Sequence, residues 1–122
     1  MMPVDALQAE LLAQSKIAGG WRFEMRVQPE LAHFAGHFPG MPILPGVVQI
    51  DWVMRFAARH FPFACDVVAL EQLKFVAPVA PGALLQLDMT HDAARHRVHF
   101  TYLLAGEPCS SGRIHYREPA CA

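Results

Sequence analysis

Residues 36–51 read GHFPGMPILPGVVQID, and this segment is the most informative part of the chain. Its first eleven positions hold three prolines and three glycines. Proline fixes the backbone φ angle at about −65° and donates no backbone hydrogen bond, so this part can be neither a helix nor the interior of a sheet. From Gly46 onward the sequence turns apolar and helix-compatible, which predicts a rigid loop leading into the N-terminus of a helix.

The helix that follows is predicted to span 46–60. Apolar residues cover most of its circumference, which indicates a helix buried on nearly all sides. These residues are Val47, Val48, Ile50, Trp52, Val53, Met54, Phe56, Ala57 and Ala58. The exceptions, Asp51, Arg55 and Arg59, recur every four residues and form one narrow polar stripe. Pro62 ends the helix.

The rest of the chain predicts one short helix and a series of strands. Apolar residues at helical spacing in 4–17 indicate an amphipathic helix that ends at Gly19 and Gly20. Alternating apolar and polar residues over 21–28 indicate a half-buried strand. Four more strand-like runs follow, at 67–76, 84–91, 96–104 and 109–117. Their short connections predict an antiparallel sheet, and the whole order predicts a single α+β domain over 1–122, with the sheet around one long helix.

Composition limits the class of protein. The 122 residues are 53% hydrophobic and 17% charged, with a net charge of −1. This balance favours an oligomer that buries apolar surface, and it gives no reason to propose nucleic acid as a partner. The three cysteines are widely spaced, which argues against a disulfide framework. The histidines lack the spacing of metal ligands, which argues against a metal site. No run predicts a membrane span or a secretory signal, so we expect a cytoplasmic protein.

The loop and the start of the helix contain candidate groups for carbonyl chemistry. His37 lies in the proline-fixed loop, where a neutral imidazole can be held in place as a base. Asp51 lies on an apolar helix, where its carboxylate costs free energy unless it is paired or exposed. Gly46 offers a backbone N–H where donors are unsatisfied and negative charge is favoured. Explanations without a catalytic role stay open for each residue. His37 could be structural, Asp51 could form a solvated stripe with Arg55 and Arg59, and Gly46 could be an ordinary N-cap glycine.

The segment 36–46, followed by an acid fourteen residues after its histidine, resembles the active-site segment of bacterial 3-hydroxyacyl-[acyl-carrier-protein] dehydratases. The sequence LKFVAPVAPG at 73–82 resembles the strand and turn that follow the helix in that family, and the likeness extends over nearly the whole chain. Two shorter segments, LPGVVQIDWV at 44–53 and SSGRI at 110–114, look closer still to the small dehydratases of aryl-polyene pigment clusters.

This resemblance implies a hotdog fold, in which an antiparallel sheet wraps one long helix, and a homodimer with active sites at its interface. It implies dehydration of 3-hydroxyacyl thioesters to trans-2-enoyl thioesters, with no cofactor beyond the phosphopantetheine of the acyl carrier protein. The implied site comprises His37 as the base, Asp51 of the other subunit as the acid, Gly46 as the donor to the thioester carbonyl, Ile43 as the residue whose carbonyl orients the imidazole, and Phe38 and Pro45 as walls of the acyl tunnel.

The sequence departs from the family's pattern beside the acid. Arg55 stands where the family commonly has glutamine, one turn after the acid. A cation at this spacing favours the ionised carboxylate, which leaves the part of Asp51 as a proton donor open. Two alternatives therefore remain. One is a hotdog acyl thioesterase, and the other is a catalytically silent acyl-binding subunit, which could belong to a hetero-oligomer with another biosynthetic subunit.

The carrier protein is the expected partner. Carrier proteins are typically acidic, so an enzyme of nearly zero net charge is expected to gather cations where the carrier binds. Arg113 and Arg117 alternate on one face of the last predicted strand and are the candidate contacts. An ordinary solvated strand face is the alternative explanation for both arginines.

Overall fold

The computed structural model describes residues 8–28, 43–64 and 66–117. In these ranges the chain forms one α-helix, six strands and two short 3₁₀ turns. The helix and strands are α1 (Gly46–His60), β1 (Glu10–Ile17), β2 (Gly20–Arg26), β3 (Val67–Phe75), β4 (Leu84–Asp92), β5 (Arg97–Leu104) and β6 (Glu107–Tyr116). None of the helices described is long and apolar enough to cross a membrane.

The six strands form a single antiparallel sheet in the order β1-β2-β4-β5-β6-β3. Tight turns join β4, β5 and β6 in sequence. The turn between β5 and β6 places Ala105 and Gly106 at φ angles of 50° and 81°, and two positive φ angles in succession suit the right-handed twist of a hairpin. β3 lies beyond β6, so β1 and β3 form the two edges of the sheet.

The core lies between α1 and one face of the sheet. Alternate residues of β2, β4, β5 and β6 point to this face because side chains alternate along a strand. The fully buried ones include Phe23, Leu87, Met89, Val98, Phe100 and Ile114. α1 contributes Trp52 and Val53, which are 2% and 0% exposed. Burial of each large apolar side chain stabilises the fold by about 1.5–3 kcal/mol, so the contact of helix and sheet is the main source of stability.

The predicted central helix is confirmed, with the bounds 46–60 expected from the prolines on either side. The prediction that it is buried on nearly all sides is wrong for a single chain. One side packs on the sheet, and the other exposes Val47, Asp51, Arg55, Ala58 and Arg59 to solvent. Val47 is 72% exposed, which leaves an apolar side chain uncovered on the first turn of the helix.

The predicted helix over 4–17 is wrong, because Glu10–Ile17 form strand β1 and residues 4–7 lie outside the described residues. Gly19, with a φ angle of 75°, belongs to a tight turn that folds β1 back on β2, so that Lys16 lies opposite Trp21. Helix propensity is a weak preference that tertiary pairing overrides. Gly19 and Gly20, interpreted as a helix stop, lie in the hairpin turn and at the start of β2, respectively.

The edge strand β3 is apolar and unpaired on one side. It bonds to β6, and no other strand of the described part of the chain pairs with it. Five of the nine exposed large hydrophobic side chains identified in those ranges lie on or directly after this strand: Val68, Leu70, Leu73, Phe75 and Val76. Free backbone groups flanked by apolar side chains form a template for pairing with another chain.

Candidate active site

The N-terminus of α1 opens on a groove of about 530 Å³. The wall of the groove comes from the loop before α1, the first turn of the helix and the segment that leaves β3. The lining residues are Ile43, Leu44, Pro45, Gly46, Gln49, Phe75, Val76, Ala77 and Pro78. Apart from Gln49 these residues are apolar or offer backbone groups alone, so the groove suits an apolar chain that carries one polar group.

A backbone donor at the start of α1 lies on the wall of this groove. Gly46 is the first residue of α1, and Pro45 before it has an extended conformation and provides no side-chain cap. The N–H groups of Val48 and Gln49 both donate to the carbonyl of Pro45, at 3.1 and 3.3 Å. The N–H of Gly46 has no acceptor within the helix and lies at its positive end, where a developing negative charge is stabilised.

Glycine at position 46 allows a close contact with the edge strand. A Cβ atom at Gly46 would lie 2.9 Å from two ring atoms of Phe75, which is closer than van der Waals contact permits. The Phe75 side chain is 47% exposed, so its ring could turn away at small cost, but only by changing the shape of the groove. The absence of a side chain at Gly46 therefore keeps both the groove and the N–H donor accessible.

We expect Gly46→Ala to reduce kcat/KM by about 10²-fold, because displacement of a reacting group by about 1 Å has an effect of that order. The melting temperature should change little, since Phe75 can turn towards solvent. Gly19→Ala is the matched control: its φ angle of 75° is unfavourable for alanine, and it lies in the turn between β1 and β2, away from the groove. The control should lower the melting temperature and keep the activity of each folded molecule. Equal loss of activity in both variants would remove the special role of Gly46.

Asp51 is not among the residues that line the groove of its own chain. Its carboxylate accepts a hydrogen bond from Nε of Arg55 at 2.9 Å, and both side chains are about half exposed. Such an exposed pair, four residues apart on a helix, stabilises by only about 0.3–0.5 kcal/mol. The carboxylate can therefore leave Arg55 for another partner at small cost.

The structure brings together some of the predicted site residues. Ile43, Pro45 and Gly46 share the groove, whereas Asp51 is not among its lining residues. His37 and Phe38 lie outside the described residues, so their roles stay predictions. In the described ranges, no group of three or more histidine, cysteine, aspartate or glutamate side chains could hold a metal ion.

Arg113 and Arg117 lie away from the groove, and each pairs with an acid. Nε of Arg113 lies 3.1 Å from Glu71, and Nε of Arg117 lies 3.6 Å from Asp66. Burial acts to raise the pKa of Glu71, but the hydrogen bond and charge of Arg113, together with Arg97, lower it below its ordinary value. The Glu71 carboxylate thus stays ionised and neutralises part of this cationic surface.

Sequence reasoning missed a buried polar network behind the groove. Gln49 and Ser110 are 3% and 2% exposed, and the Ser110 hydroxyl donates to Oε1 of Gln49 at 2.6 Å. The hydroxyl of Tyr102 donates to the main-chain carbonyl of Gln49 at 2.7 Å, and burial raises the pKa of Tyr102 well above its ordinary value. A signal existed: Gln49 is three and four residues before Trp52 and Val53, on the buried side of the helix.

The single sheet and the one α-helix have the architecture of a hotdog fold, and comparison with known proteins agrees. The model of the ApeI-like family, described as ApeI dehydratase, matches residues 13–113. Among solved structures, a chain of the dehydratase heterocomplex ApeI:P from Xenorhabdus doucetiae is 33% identical, with a TM-score of 0.82 over 90% of this chain and 99% of that one. An uncharacterised protein from Erwinia carotovora subsp. atroseptica is 30% identical, with a TM-score of 0.80 over 94% and 99%.

Curated relatives match over a shorter stretch. The 3-hydroxyacyl-[acyl-carrier-protein] dehydratase FabZ of Erythrobacter litoralis is 36% identical over 75 residues, which is 54% of this chain and 50% of the relative. FabZ of Novosphingobium aromaticivorans is 39% identical over 74 residues, 53% and 47% of the two chains. The chain spans about half the length of these relatives. It belongs to the ApeI-like dehydratase family, and its hotdog fold, predicted from sequence, is confirmed.

Proposed function

We propose that the protein removes water from 3-hydroxyacyl thioesters of an acyl carrier protein and produces trans-2-enoyl thioesters, in fatty-acid-like or aryl-polyene biosynthesis. The observation that carries this proposal is the apolar groove lined by Gly46 at the start of α1, directly after the loop sequence that contains His37. Membership of the ApeI-like dehydratase family and similarity to FabZ support the same reaction.

The reaction needs a base, an acid and a stabiliser of negative charge. The thioester makes the proton on C2 acidic, and the imidazole of His37 removes it. The N–H of Gly46 stabilises the negative charge on the thioester oxygen, and one such donor contributes about 3 kcal/mol to the transition state. The C3–O bond then breaks as the C2–C3 double bond forms, and the hydroxyl takes a proton from Asp51 and leaves as water. Solvent returns the proton from His37 to Asp51.

The remaining predicted residues position these groups. The main-chain carbonyl of Ile43 accepts a hydrogen bond from the His37 imidazole and fixes its orientation, while Phe38 and Pro45 line the path of the acyl chain. We propose that no metal or organic cofactor takes part, because proton transfer and one oxyanion donor are sufficient for this chemistry. The substrate's own phosphopantetheine is the carrier group.

Asp51 does not line the groove of its own chain, which favours a site shared between two chains. We propose a homodimer in which Asp51 of one protomer serves the groove of its partner. The apolar, unpaired edge of β3 is the surface on which the two copies would meet. The heterocomplex named for the Xenorhabdus doucetiae protein raises a second arrangement, in which another biosynthetic subunit pairs with this edge.

We expect Leu70→Asp to weaken the dimer by about tenfold or more, because a carboxylate would lose hydration when β3 pairs with a second chain. Leu70 is 39% exposed and lies on this edge strand. Leu12→Asp is the matched control, since Leu12 is 51% exposed on β1 at the opposite edge. Sedimentation velocity over a range of concentrations measures both variants. Dissociation of the Leu12→Asp protein alone would place the interface at β1 instead.

We also propose that the acidic carrier protein contacts Arg113 and Arg117. Arg117 is the freer of the two, with a side chain 70% exposed against 24% for Arg113. Arg117→Glu should raise the apparent KM for the carrier-bound substrate, and high salt should shrink this effect. Turnover of a pantetheine thioester, which lacks the acidic surface, should not change. An equal effect on both substrates would assign Arg117 to the fold or the active site.

The Asp51–Arg55 ion pair favours one rival, a catalytically silent acyl-binding subunit. Incubation of the protein with a 3-hydroxyacyl-pantetheine thioester separates the possibilities when enoyl absorbance and free thiol are both followed. A dehydratase produces enoyl thioester without thiol, whereas a thioesterase releases thiol without enoyl product. Binding without either product would identify a silent subunit and overturn the proposal.

We place the reaction in the cytoplasm, where carrier-bound substrates are made.

A further inference from the structure

Gln49 is the residue that links the groove to the sheet. It is a polar side chain on the buried side of an apolar helix and is 3% exposed, although it also lines the groove. A buried amide is costly unless its hydrogen-bonding groups are satisfied. A hydrophobic side chain would fill the same space without this requirement.

The hydrogen bonds of Gln49 join three parts of the fold at one residue. The side-chain oxygen of Gln49 accepts from Ser110 on β6 at 2.6 Å, and its main-chain carbonyl accepts from Tyr102 on β5 at 2.7 Å. Its Nε2 donates to the carbonyl of Leu44 in the loop before α1, at the longer distance of 3.5 Å. The first turn of α1 is thus fastened to two adjacent strands and to the loop.

The loop before α1 and the first turn of the helix, which Gln49 holds in place, contain the N–H donor of Gly46. Leu44 lies two residues before Gly46, and its own N–H donates to Val79 at 2.8 Å. Apolar contacts are not directional and allow a helix to shift along a sheet, whereas hydrogen bonds weaken steeply as their angle and distance change. The bonds of Gln49 consequently fix how deep the N–H of Gly46 lies relative to the groove and the ring of Phe75.

We propose that Gln49 is a positioning residue that holds the Gly46 N–H at the depth required by the thioester carbonyl, with Ser110 as its main anchor. This role rests on the proposed dehydratase function. Gln49 acts through the helix start and makes no contact with the reacting atoms. Its loss should affect the catalytic step, because the donor is used most strongly in the transition state.

Two variants remove the anchor from opposite ends. Gln49→Met keeps the length of the side chain without its hydrogen bonds, and Ser110→Ala removes the hydroxyl. Each should lower kcat by about tenfold or more and change KM by less than about threefold. The double variant should be no worse than the more damaged single variant, because both changes remove the same bond. Ser110→Thr, which keeps a hydroxyl, should recover most of kcat.

A core variant separates positioning from simple loss of stability. Val98 is fully buried on β5, four residues from Tyr102, and Val98→Ala should lower the melting temperature and leave kcat unchanged. If kcat falls in Val98→Ala as it does in Gln49→Met at a similar melting temperature, the role is structural alone. A rise in KM with unchanged kcat would also overturn the proposal.

An activity-independent measurement keeps the two proposals distinct. If the wild-type protein forms no enoyl product, the proposed function fails, and the position of the helix start can still be tested by NMR. The ¹H–¹⁵N resonance of Gly46 should move or split in Gln49→Met and in Ser110→Ala, and stay in place in Val98→Ala. A Gly46 resonance unchanged in the first two variants would show that Gln49 does not set the position of the donor.

Discussion

His37→Ala is expected to reduce enoyl formation by about 10²- to 10⁴-fold, the range by which a positioned general base accelerates proton transfer. The fold should persist, because the prolines of the loop fix its backbone independently of the imidazole. Enoyl absorbance with a 3-hydroxyacyl thioester measures the rate. Circular dichroism and the melting temperature establish that the variant is folded.

The matched control for this experiment is another histidine. His99 lies on β5 with its side chain on the face of the sheet opposite α1, so His99→Ala should keep wild-type turnover of a pantetheine thioester. Loss of activity in both variants would point to a general effect of histidine removal on the fold. A folded His37→Ala protein that retains most of its activity would refute the assignment of the base.

The second large effect is recovery of activity from two inactive proteins. His37→Ala and Asp51→Ala should each be inactive when alone. In a mixed dimer, one groove receives the intact His37 of one protomer and the intact Asp51 of the other. Random exchange of equal amounts should restore about a quarter of the wild-type sites, because half the dimers are mixed and each has one complete site.

Subunit exchange must be shown in the same sample, for example by energy transfer between labelled protomers. Recovery of about a quarter of the wild-type activity supports a site shared between two protomers. No recovery despite exchange would place His37 and Asp51 in one chain, and the exposed position of Asp51 beside Arg55 would then have to change on substrate binding.

Local sequence was sufficient for the elements with clear boundaries. The prolines at 45 and 62 bracket the apolar run, so the bounds of α1 were predictable. The alternation in β5 was equally clear, since Val98, Phe100 and Tyr102 face the core. The position of β3 at the sheet edge was not predictable, because strand order depends on long-range packing that no local pattern encodes.

The errors have physical causes. The spacing of Val4, Leu7, Leu11 and Leu12 fits a helix face, but the pairing of β1 with β2 across the turn at Gly19 outweighed that weak preference. The burial of α1 was overestimated because apolar side chains such as Val47 can lie on the exposed side of a helix, where another chain could cover them.

The residues of the candidate site could be predicted only in part from the sequence. Gly46 was singled out because a helix start presents unsatisfied backbone N–H groups, whereas the roles of Ile43 and Pro45 came from the resemblance to the dehydratases and stay predictions. The importance of Gln49 was not, since its partners Ser110 and Tyr102 are on strands more than fifty residues later. That Asp51 does not line the groove of its own chain could not be predicted from local sequence either.

We propose that the groove at the start of α1 holds a 3-hydroxyacyl thioester between groups of two protomers. A crystal structure of the protein with a 3-hydroxyacyl-pantetheine amide, an analogue that resists hydrolysis, would show this arrangement. We expect the amide oxygen within about 3.2 Å of the Gly46 nitrogen, C2 beside the imidazole of His37, and the 3-hydroxyl beside an Asp51 carboxylate from the second protomer. An analogue bound away from this groove, or one bound in it with Asp51 of both protomers still held by Arg55, would contradict the account.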